Sequence, residues 1–151
     1  MIYHLQQGNV EINTIIFDLN GTLSEYGLIT QETEEWIFYL KQMNFQLILL
    51  TSDQRGNAKH IAEKLQIDYH IAKTGKEKKI FVIRQKLPFF AIGNARNDIP
   101  MFEEAFLSFV PLQTEGIHTD ILNFADIVVP TISDAFKLIS DEQGLISTMK
   151  Q

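Results

Sequence analysis

Three oxygen-bearing side chains stand at points of the sequence where a buried strand would end. The carboxylate of Asp18 lies near the end of the apolar run Thr14–Leu19, and Thr51 and Asp98 follow two later apolar runs. A carboxylate in an apolar setting costs desolvation free energy unless a cation or hydrogen bonds offset it, which makes Asp18 a candidate for function. A carboxylate can also attack phosphorus and form an aspartyl-phosphate when a hard cation and hydrogen-bond donors hold the phosphoryl group.

The other parts of a phosphoryl site occur in the same sequence. Asp98 could give a second carboxylate to Mg²⁺, which typically takes one or two carboxylates together with carbonyl, water and phosphate oxygens. Thr51 and Ser52 offer hydroxyl and backbone N–H groups where the next helix would begin, which is a natural anion site. A cation would complete it, and the candidates belong to one short run: Lys73, Lys76, Lys78 and Lys79.

Each of these residues also has an ordinary structural interpretation. Asp18 could cap the turn at Asn20-Gly21, and Asp98 could cap the helix that leads to Met101. Thr51 could equally be a plain helix cap, and a charge run such as GKEKK is usually a solvated helix face. The functional interpretation therefore depends on whether the fold brings these residues together.

Apolar runs typical of strands alternate with amphipathic helical patterns along the chain. The predicted strands are Thr14–Leu19, Phe45–Leu50, Tyr69–Ala72 and Phe89–Ile92, and the predicted helices are Thr30–Met43, Arg55–Leu65, Gly75–Leu87 and Asp98–Ala105. The pattern repeats more loosely at Leu107–Pro111, Ile117–Asn123, Ile127–Pro130 and Ser133–Ile139. Helices that join successive strands favour a mostly parallel α/β sheet, with ligands beyond the carboxyl ends of its strands. We therefore expect the polar residues that follow the first, second and fourth strands to converge: Asp18, Asn20, Thr22, Thr51, Ser52, Asn94, Asn97 and Asp98.

The composition limits the class of protein. With 151 residues, of which 45% are hydrophobic and 21% charged, the chain has the size and make-up of one globular domain, 1–151. Its formal net charge of −6 has the wrong sign for a nucleic-acid partner. The absence of cysteine excludes thiolate nucleophiles and Cys-ligated metals. Residues 1–10 lack the features of a signal peptide, and no run approaches ~18 apolar residues, so we expect a cytoplasmic protein without a membrane partner.

Three segments resemble the motifs of the haloacid-dehalogenase (HAD)-like superfamily, in the order in which that superfamily has them. FDLNGTL at 17–23 is similar to its nucleophile motif, LLTSD at 49–53 to its Thr/Ser motif, and GNARND at 93–98 to its acidic metal motif. AIGNARNDIPM at 91–101 further resembles the hinge motif of P-type ATPase phosphorylation domains, and small soluble proteins related to that domain are the nearest match. The resemblance runs from Ile12 to Lys150 and implies a three-layer α/β/α sandwich with a mostly parallel, Rossmann-like sheet.

The resemblance also implies roles for individual residues, with Asp18 as the nucleophile of a Mg²⁺-dependent phosphohydrolase or phosphotransferase. The implied catalytic set is Asp18, Asn20, Thr51 and Lys79. Lys79 is preferred to Lys78 because it precedes a helix patterned Ile80, Ile83, Leu87. The implied phosphate ligands are Thr22, Thr51, Ser52, Lys79 and Asn97. The implied Mg²⁺ ligands are Asp18, the backbone carbonyl of Asn20, Asn94 and Asp98.

Two positions depart from the superfamily pattern, and both have Asn where Asp is usual. Asn20 stands where hydrolytic members have a general acid and base, and an amide cannot transfer a proton in that way, so hydrolysis should be slow. Asn94 replaces an acidic group near the metal, which should weaken Mg²⁺ binding. The alternative function is therefore a non-catalytic phosphate-binding or protein-interaction module on the same scaffold.

The stretch between the first strand and its helix is short. Gly27–Thr33 has room for a flap but not for a cap domain. We therefore expect an open site that a large phosphorylated substrate, a protein partner or a second copy of the chain would close.

Overall fold

The computed structural model describes all 151 residues. The strands are Ile2–Leu5 (β1), Gly8–Glu11 (β2), Thr14–Phe17 (β3), Gln46–Thr51 (β4), Asp68–Ile71 (β5), Phe90–Ile92 (β6), Leu107–Pro111 (β7) and Ile127–Val129 (β8). The α-helices are Gln31–Gln42 (α1), Ala58–Leu65 (α2), Gly75–Gln85 (α3), Ile99–Glu104 (α4), Ile132–Ser140 (α5) and Glu142–Met149 (α6). Two 3₁₀ turns lie at Arg96–Asp98 and Thr119–Asn123.

Six strands form one sheet in the order β5-β4-β3-β6-β7-β8, and every neighbouring pair is parallel. Phe17 at the end of β3 pairs with Leu49 of β4 and Ile92 of β6. The loops that follow these three strands therefore leave the sheet at the same edge. This arrangement confirms the predicted parallel α/β fold and sets the predicted site residues side by side.

Helices cover both faces of the sheet. A core of 25 buried residues includes side chains of α1, α2, α5 and α6, and a core of 11 buried residues on the other face includes side chains of α3 and α4. The three-layer α/β/α sandwich is thus confirmed. The segment between β3 and α1 contains only turns and isolated bridges, and no helix is both long and apolar enough to cross a membrane.

Local sequence fixes the start of α3, the helix that carries the lysine run. The hydroxyl of Thr74 accepts a hydrogen bond from the Glu77 N–H at 3.2 Å, which caps the first turn. Gly75 lets this turn approach the 96–100 segment, because a Cβ there would lie 2.9 Å from Pro100 Cγ and 3.1 Å from the Asn97 carbonyl oxygen. The cap and the close approach together decide which lysine faces the sheet.

Three features differ from the sequence-based prediction, and one of them is helix α6 (Glu142–Met149), which no predicted element covers. Helix α2 begins at Ala58 instead of Arg55, because Asp53 adopts a left-handed conformation (φ 56°) and its carboxylate accepts from the Ala58 N–H at 3.0 Å. The antiparallel hairpin β1–β2 was not predicted. It is anchored by the buried Tyr3, whose hydroxyl donates to the Ile139 carbonyl at 2.8 Å.

Candidate active site

A buried lysine lies between two buried carboxylates at the carboxyl edge of the sheet. Lys78 Nζ is 2.6 Å from Asp98 Oδ1 and 3.1 Å from Asp18 Oδ1. Lys78 and Asp98 are fully buried, and the Asp18 side chain is 8% exposed. Three segments of the chain, the β3 end, α3 and the turn after β6, thus meet at Lys78, through a charge-assisted hydrogen bond to Asp98 and an ion pair with Asp18.

The charges of this cluster do not balance. Burial, and then the charge of Asp98, raise the pKa of Asp18 to about 7, although Lys78 and the Leu19 N–H act in the opposite direction. Burial by itself would lower the pKa of the Lys78 ammonium, but the charges of Asp98 and Asp18 raise it. One ammonium therefore lies beside two carboxylates, so a further positive charge near Asp18 would be electrostatically favourable.

Asp98 is held by backbone groups of its own turn. Its Oδ2 accepts from the N–H groups of Asn94 at 3.1 Å and Ala95 at 3.0 Å. A Cβ at Gly93 would lie 2.6 Å from the same oxygen, so this position excludes a side chain. The carboxylate that binds Lys78 is thereby fixed in one orientation.

The side chain of Asn94 connects two other loops. Its Oδ1 accepts from the Thr22 hydroxyl at 3.1 Å, and its Nδ2 donates to the Gly116 carbonyl at 2.9 Å. Gly21 (φ 74°) is the required neighbour, because a Cβ there would lie 2.1 Å from Asn94 Nδ2. Asn94 therefore already serves as a structural link, in addition to its predicted place among the metal ligands.

Asn20 presents unused acceptors. Its side-chain Oδ1 is buried and has no hydrogen-bond partner, and its backbone carbonyl accepts no hydrogen bond. A buried polar atom without a partner is rare in folded proteins, since the lost hydrogen bond costs roughly 1–3 kcal/mol. These oxygens are therefore free to bind a cation, a water molecule or a hydroxyl group.

The other predicted site residues follow neighbouring strands. Thr51 is fully buried at the end of β4, and its hydroxyl accepts from the Asp53 N–H at 2.9 Å. Ser52 is half-buried, and its carbonyl accepts from Lys73 Nζ at 2.8 Å. Asn97 lies in the turn before α4 with its Oδ1 buried and unpartnered. Each of these residues thus lies at a strand end or in a loop at the carboxyl edge that carries Asp18.

Lys79 lies outside this cluster, and the preference for it over Lys78 is corrected. Its Nζ is 3.4 Å from carboxylate oxygens of both Glu103 and Glu104, and its side chain is 40% exposed. Consecutive helical residues point about 100° apart, so only one of the two lysines can face the carboxylates. The stripe Ile80, Ile83, Leu87 that favoured Lys79 is itself exposed.

The loop after β7 also contributes to this edge, although the sequence did not predict it. Gln113 donates from Nε2 to the Thr22 carbonyl at 2.6 Å and accepts from the Ile132 N–H at 2.9 Å. Glu115 accepts from the Tyr26 N–H at 2.8 Å and lies 3.6 Å from an Arg55 nitrogen. No charge pattern or motif in the sequence marks this loop, because its contacts are to backbone groups distant along the chain.

The residues present fit a divalent cation. Asp18 and Asp98 are two buried carboxylates that share one ammonium, and Asn20 adds a free carbonyl and a buried, unpartnered amide oxygen. Mg²⁺ typically needs only one or two protein carboxylates, with water and substrate phosphate completing its coordination. The donor set is therefore sparse but chemically suitable.

Comparison with solved structures identifies the fold. The cobalt-bound deoxy-D-mannose-octulosonate 8-phosphate phosphatase of Haemophilus influenzae superposes with a TM-score of 0.73 at 16% identity, over 93% of this chain and 94% of that one. The corresponding phosphatase of Moraxella catarrhalis, solved with Mg²⁺, phosphate and KDO, superposes with a TM-score of 0.72 at 16% identity, over 90% of each chain. A Legionella pneumophila protein assigned to the HAD superfamily of hydrolases superposes with a TM-score of 0.69 at 20% identity, over 91% of this chain and 86% of that one. The protein therefore has the HAD-like fold that its motifs predicted.

Sequence comparison points to a particular branch of that fold. The chain is 30% identical over 129 residues to a soluble P-type ATPase-like phosphatase of Methanocaldococcus jannaschii, which covers 82% of this chain and 47% of that protein. It is 29% identical to the copper-exporting P-type ATPase B of Archaeoglobus fulgidus, over 97% of this chain and 22% of that protein. The chain thus spans about half or less of the length of these relatives. No family model matches the sequence.

Proposed function

We propose that this protein is a Mg²⁺-dependent phosphohydrolase or phosphotransferase that works through an aspartyl-phosphate on Asp18. The observation that carries the proposal is the fully buried Lys78, which is hydrogen-bonded to Asp98 at 2.6 Å and ion-paired with Asp18 at 3.1 Å. A nucleophilic carboxylate, a cation for the phosphoryl oxygens and a second carboxylate for a metal are the parts that phosphoryl transfer to Asp requires. The soluble phosphatase from M. jannaschii and the Mg²⁺- and phosphate-bound M. catarrhalis enzyme support the same assignment.

The reaction proceeds in two displacements at phosphorus. In the first, an Asp18 oxygen forms a bond to phosphorus while the bond to the ester oxygen breaks, and the departing alkoxide takes a proton from solvent. In the second, a water oxygen attacks the same phosphorus, the Asp18–phosphorus bond breaks, and phosphate leaves with the proton of the water passing to solvent. In a phosphotransferase, an acceptor hydroxyl replaces the water.

Individual residues support the first displacement. Lys78 would place its ammonium against the phosphoryl oxygens, and Thr51 and Ser52 would donate hydrogen bonds to them, with Thr22 and Asn97 as further ligands. Asp18, Asp98 and the Asn20 carbonyl would hold Mg²⁺, and Asn94 would add its amide oxygen. When bound, Mg²⁺ supplies positive charge that keeps Asp18 ionised near neutral pH and offsets negative charge on the phosphoryl group.

Asn20 makes both displacements slow. Its amide can accept a hydrogen bond through the buried, unpartnered Oδ1, but it cannot give a proton to the leaving group or take one from water. General acid–base catalysis typically contributes about 10²–10⁴-fold to a rate. The aspartyl-phosphate should therefore persist, which suits transfer to a second acceptor better than rapid hydrolysis.

The experiment is a paired comparison of Asp18→Asn and Asn20→Asp with the unmodified protein. Turnover of acetyl phosphate and p-nitrophenyl phosphate with Mg²⁺, and borohydride trapping of the acyl phosphate, are the measurements. We expect Asp18→Asn to abolish both signals and Asn20→Asp to raise hydrolysis. Turnover that is unchanged in Asp18→Asn would overturn the proposal. If beryllofluoride with Mg²⁺ stabilises the unmodified protein, but neither it nor Asn20→Asp shows turnover, the result would favour the non-catalytic phosphate-binding module.

The substrate should be large, or the site should be covered by another chain. The segment 18–30 forms a short flap, and its side chains Tyr26 and Leu28 are 62% and 76% exposed. We propose that a bulky phosphorylated substrate, a partner protein or a second copy of this chain packs against that flap. Gel filtration with and without beryllofluoride tests the last of these.

A further inference from the structure

The loop between β7 and the second 3₁₀ turn, residues 112–118, contacts the other loops at the carboxyl edge. Thr114 Oγ1 donates to a Glu25 carboxylate oxygen at 2.9 Å, and the Tyr26 N–H donates to Glu115 at 2.8 Å. The Gly116 carbonyl accepts from Asn94. The 112–118 loop therefore ties the flap to the turn that carries Asp98.

Gln113 contacts the backbone three and four residues after Asp18. Its Nε2 donates to the Thr22 carbonyl at 2.6 Å and, at 3.4 Å, to the Gly21 carbonyl. Its Oε1 accepts from the Ile132 N–H at 2.9 Å, in the first turn of α5. One amide side chain thus connects the backbone next to Asp18 to a helix of nine residues that is packed in the core.

The Thr22 carbonyl depends on this contact. Thr22 is fully buried, and Gln113 is the only hydrogen-bond donor to its carbonyl oxygen. The Thr22 hydroxyl is bound to Asn94, so both polar ends of the residue are held by other loops. Gly21, the preceding residue, has φ 74° and adds no side chain to fix the backbone. Local bonds such as Thr22 N–H to the Leu19 carbonyl at 3.2 Å shape the turn, and the contacts of Thr22 with Gln113 and Asn94 fix it to the rest of the fold.

We propose that Gln113 is a positioning residue for the phosphoryl-binding segment 18–22. The inference rests on the proposed function of Asp18, because the segment matters for chemistry only if it surrounds the phosphoryl group. Gln113 itself touches neither the nucleophile nor Lys78. It acts by holding the Gly21 and Thr22 carbonyls so that the Asp18 carboxylate and the free Asn20 oxygens keep their places.

The test compares two substitutions that affect the contact in different ways. Gln113→Glu keeps an acceptor for the Ile132 N–H and turns the donor toward Thr22 into an acceptor. Gln113→Met keeps the side-chain volume and removes both contacts. The matched control is Gln42→Glu, which makes the same charge change at an exposed residue without a hydrogen bond at the end of α1.

The first measurement is the affinity for beryllofluoride with Mg²⁺, together with the backbone amide resonances of Gly21 and Thr22. We expect Gln113→Glu and Gln113→Met to weaken binding roughly 10- to 100-fold, as the loss of a partly buried hydrogen bond that positions the segment implies. Both variants should move the two resonances in the free protein, while Gln42→Glu moves neither. In turnover assays, both Gln113 variants should lower kcat by a larger factor than they raise KM.

A second measurement separates positioning from general destabilisation. A protonated Glu carboxyl can donate to the Thr22 carbonyl, so lowering the pH to about 4, below the ordinary Glu pKa of about 4.3, should restore Gln113→Glu toward the unmodified protein measured at the same pH. Gln113→Met should show no such recovery. If beryllofluoride binds the unmodified protein and Gln113→Glu equally well, the inference is overturned while the proposed function stands. If it does not bind the unmodified protein, the proposed function fails first and the inference fails with it.

Discussion

Lys78 and Lys79 are adjacent residues of one type whose substitution should have opposite consequences. Lys78→Met removes a buried ammonium that lies 2.6 and 3.1 Å from two carboxylates. Removing one partner of a buried ion pair leaves uncompensated charge and typically costs about 3–5 kcal/mol. Lys79→Met removes the same formal charge from an exposed side chain on the same helix, so it serves as the matched control.

The magnitude of the Lys78→Met effect should depend on pH. In a domain of this size, a loss of about 3–5 kcal/mol corresponds to a fall in Tm of roughly 10 °C. Because the pKa of Asp18 is raised to about 7, this carboxyl is neutral in moderately acidic solution and the uncompensated charge there is smaller. We therefore expect a larger fall in Tm at about pH 8 than at about pH 5.5.

The assay is thermal unfolding of both variants without metal at the two pH values, followed by titration with Mg²⁺ and beryllofluoride. Lys78→Met should lose most of the stabilisation by beryllofluoride, and Lys79→Met should keep it. Equal effects of the two substitutions on Tm and on beryllofluoride binding would refute the reasoning, because they would mean that the buried position of Lys78 has no energetic consequence.

Three further substitutions test the rest of the cluster. Without metal, the free energy of unfolding should fall by up to about 4 kcal/mol as the pH rises from 4 to 7. The reason is that the pKa of Asp18 is 3.8 in the unfolded chain and about 7 in the folded protein, so the folded state holds this proton more tightly. Asp18→Asn should abolish this pH dependence in urea titrations. Gly21→Ala should lower Tm more than Gly56→Ala, since both glycines have positive φ (74° and 71°) but only the first would clash with Asn94. Asn94→Asp should destabilise the metal-free protein by placing an acceptor against the Gly116 carbonyl, and Mg²⁺ should recover part of the loss in a melting assay.

Much of the site could be predicted because strand ends are marked in the sequence. Asp18, Thr51 and Asp98 each follow an apolar run, and in a parallel sheet such ends meet at one edge. The local pattern was sufficient here because the strands are short, buried and almost wholly apolar. The same logic fails for the hairpin β1–β2, because β2 has only one apolar residue and the hairpin is held by contacts with α5 and α6.

The choice between Lys78 and Lys79 could not be made from the helix pattern. The apolar stripe Ile80, Ile83, Leu87 indicates a buried face, yet these side chains are 41%, 51% and 57% exposed. The face of α3 that turns inward carries Lys78 and Val82 instead. A buried lysine is costly without partners, and those partners are carboxylates 20 and 60 residues away in the chain, so hydrophobic periodicity alone points to the wrong face.

The two Asn residues that depart from the superfamily pattern have unequal physical consequences. Asn94 uses both ends of its amide: its oxygen accepts from the Thr22 hydroxyl and its nitrogen donates to the Gly116 carbonyl. A carboxylate at this position could not donate the second hydrogen bond. Asn20 uses neither its side-chain oxygen nor its backbone carbonyl in a hydrogen bond, and it lies two residues after Asp18 in the chain. Replacing Asn20 by Asp should therefore change chemistry with little structural cost, whereas replacing Asn94 by Asp exchanges a link between loops for a metal ligand. On the proposed mechanism, substitutions at Asn94 and Asn20 should therefore vary metal affinity and phosphoenzyme lifetime separately.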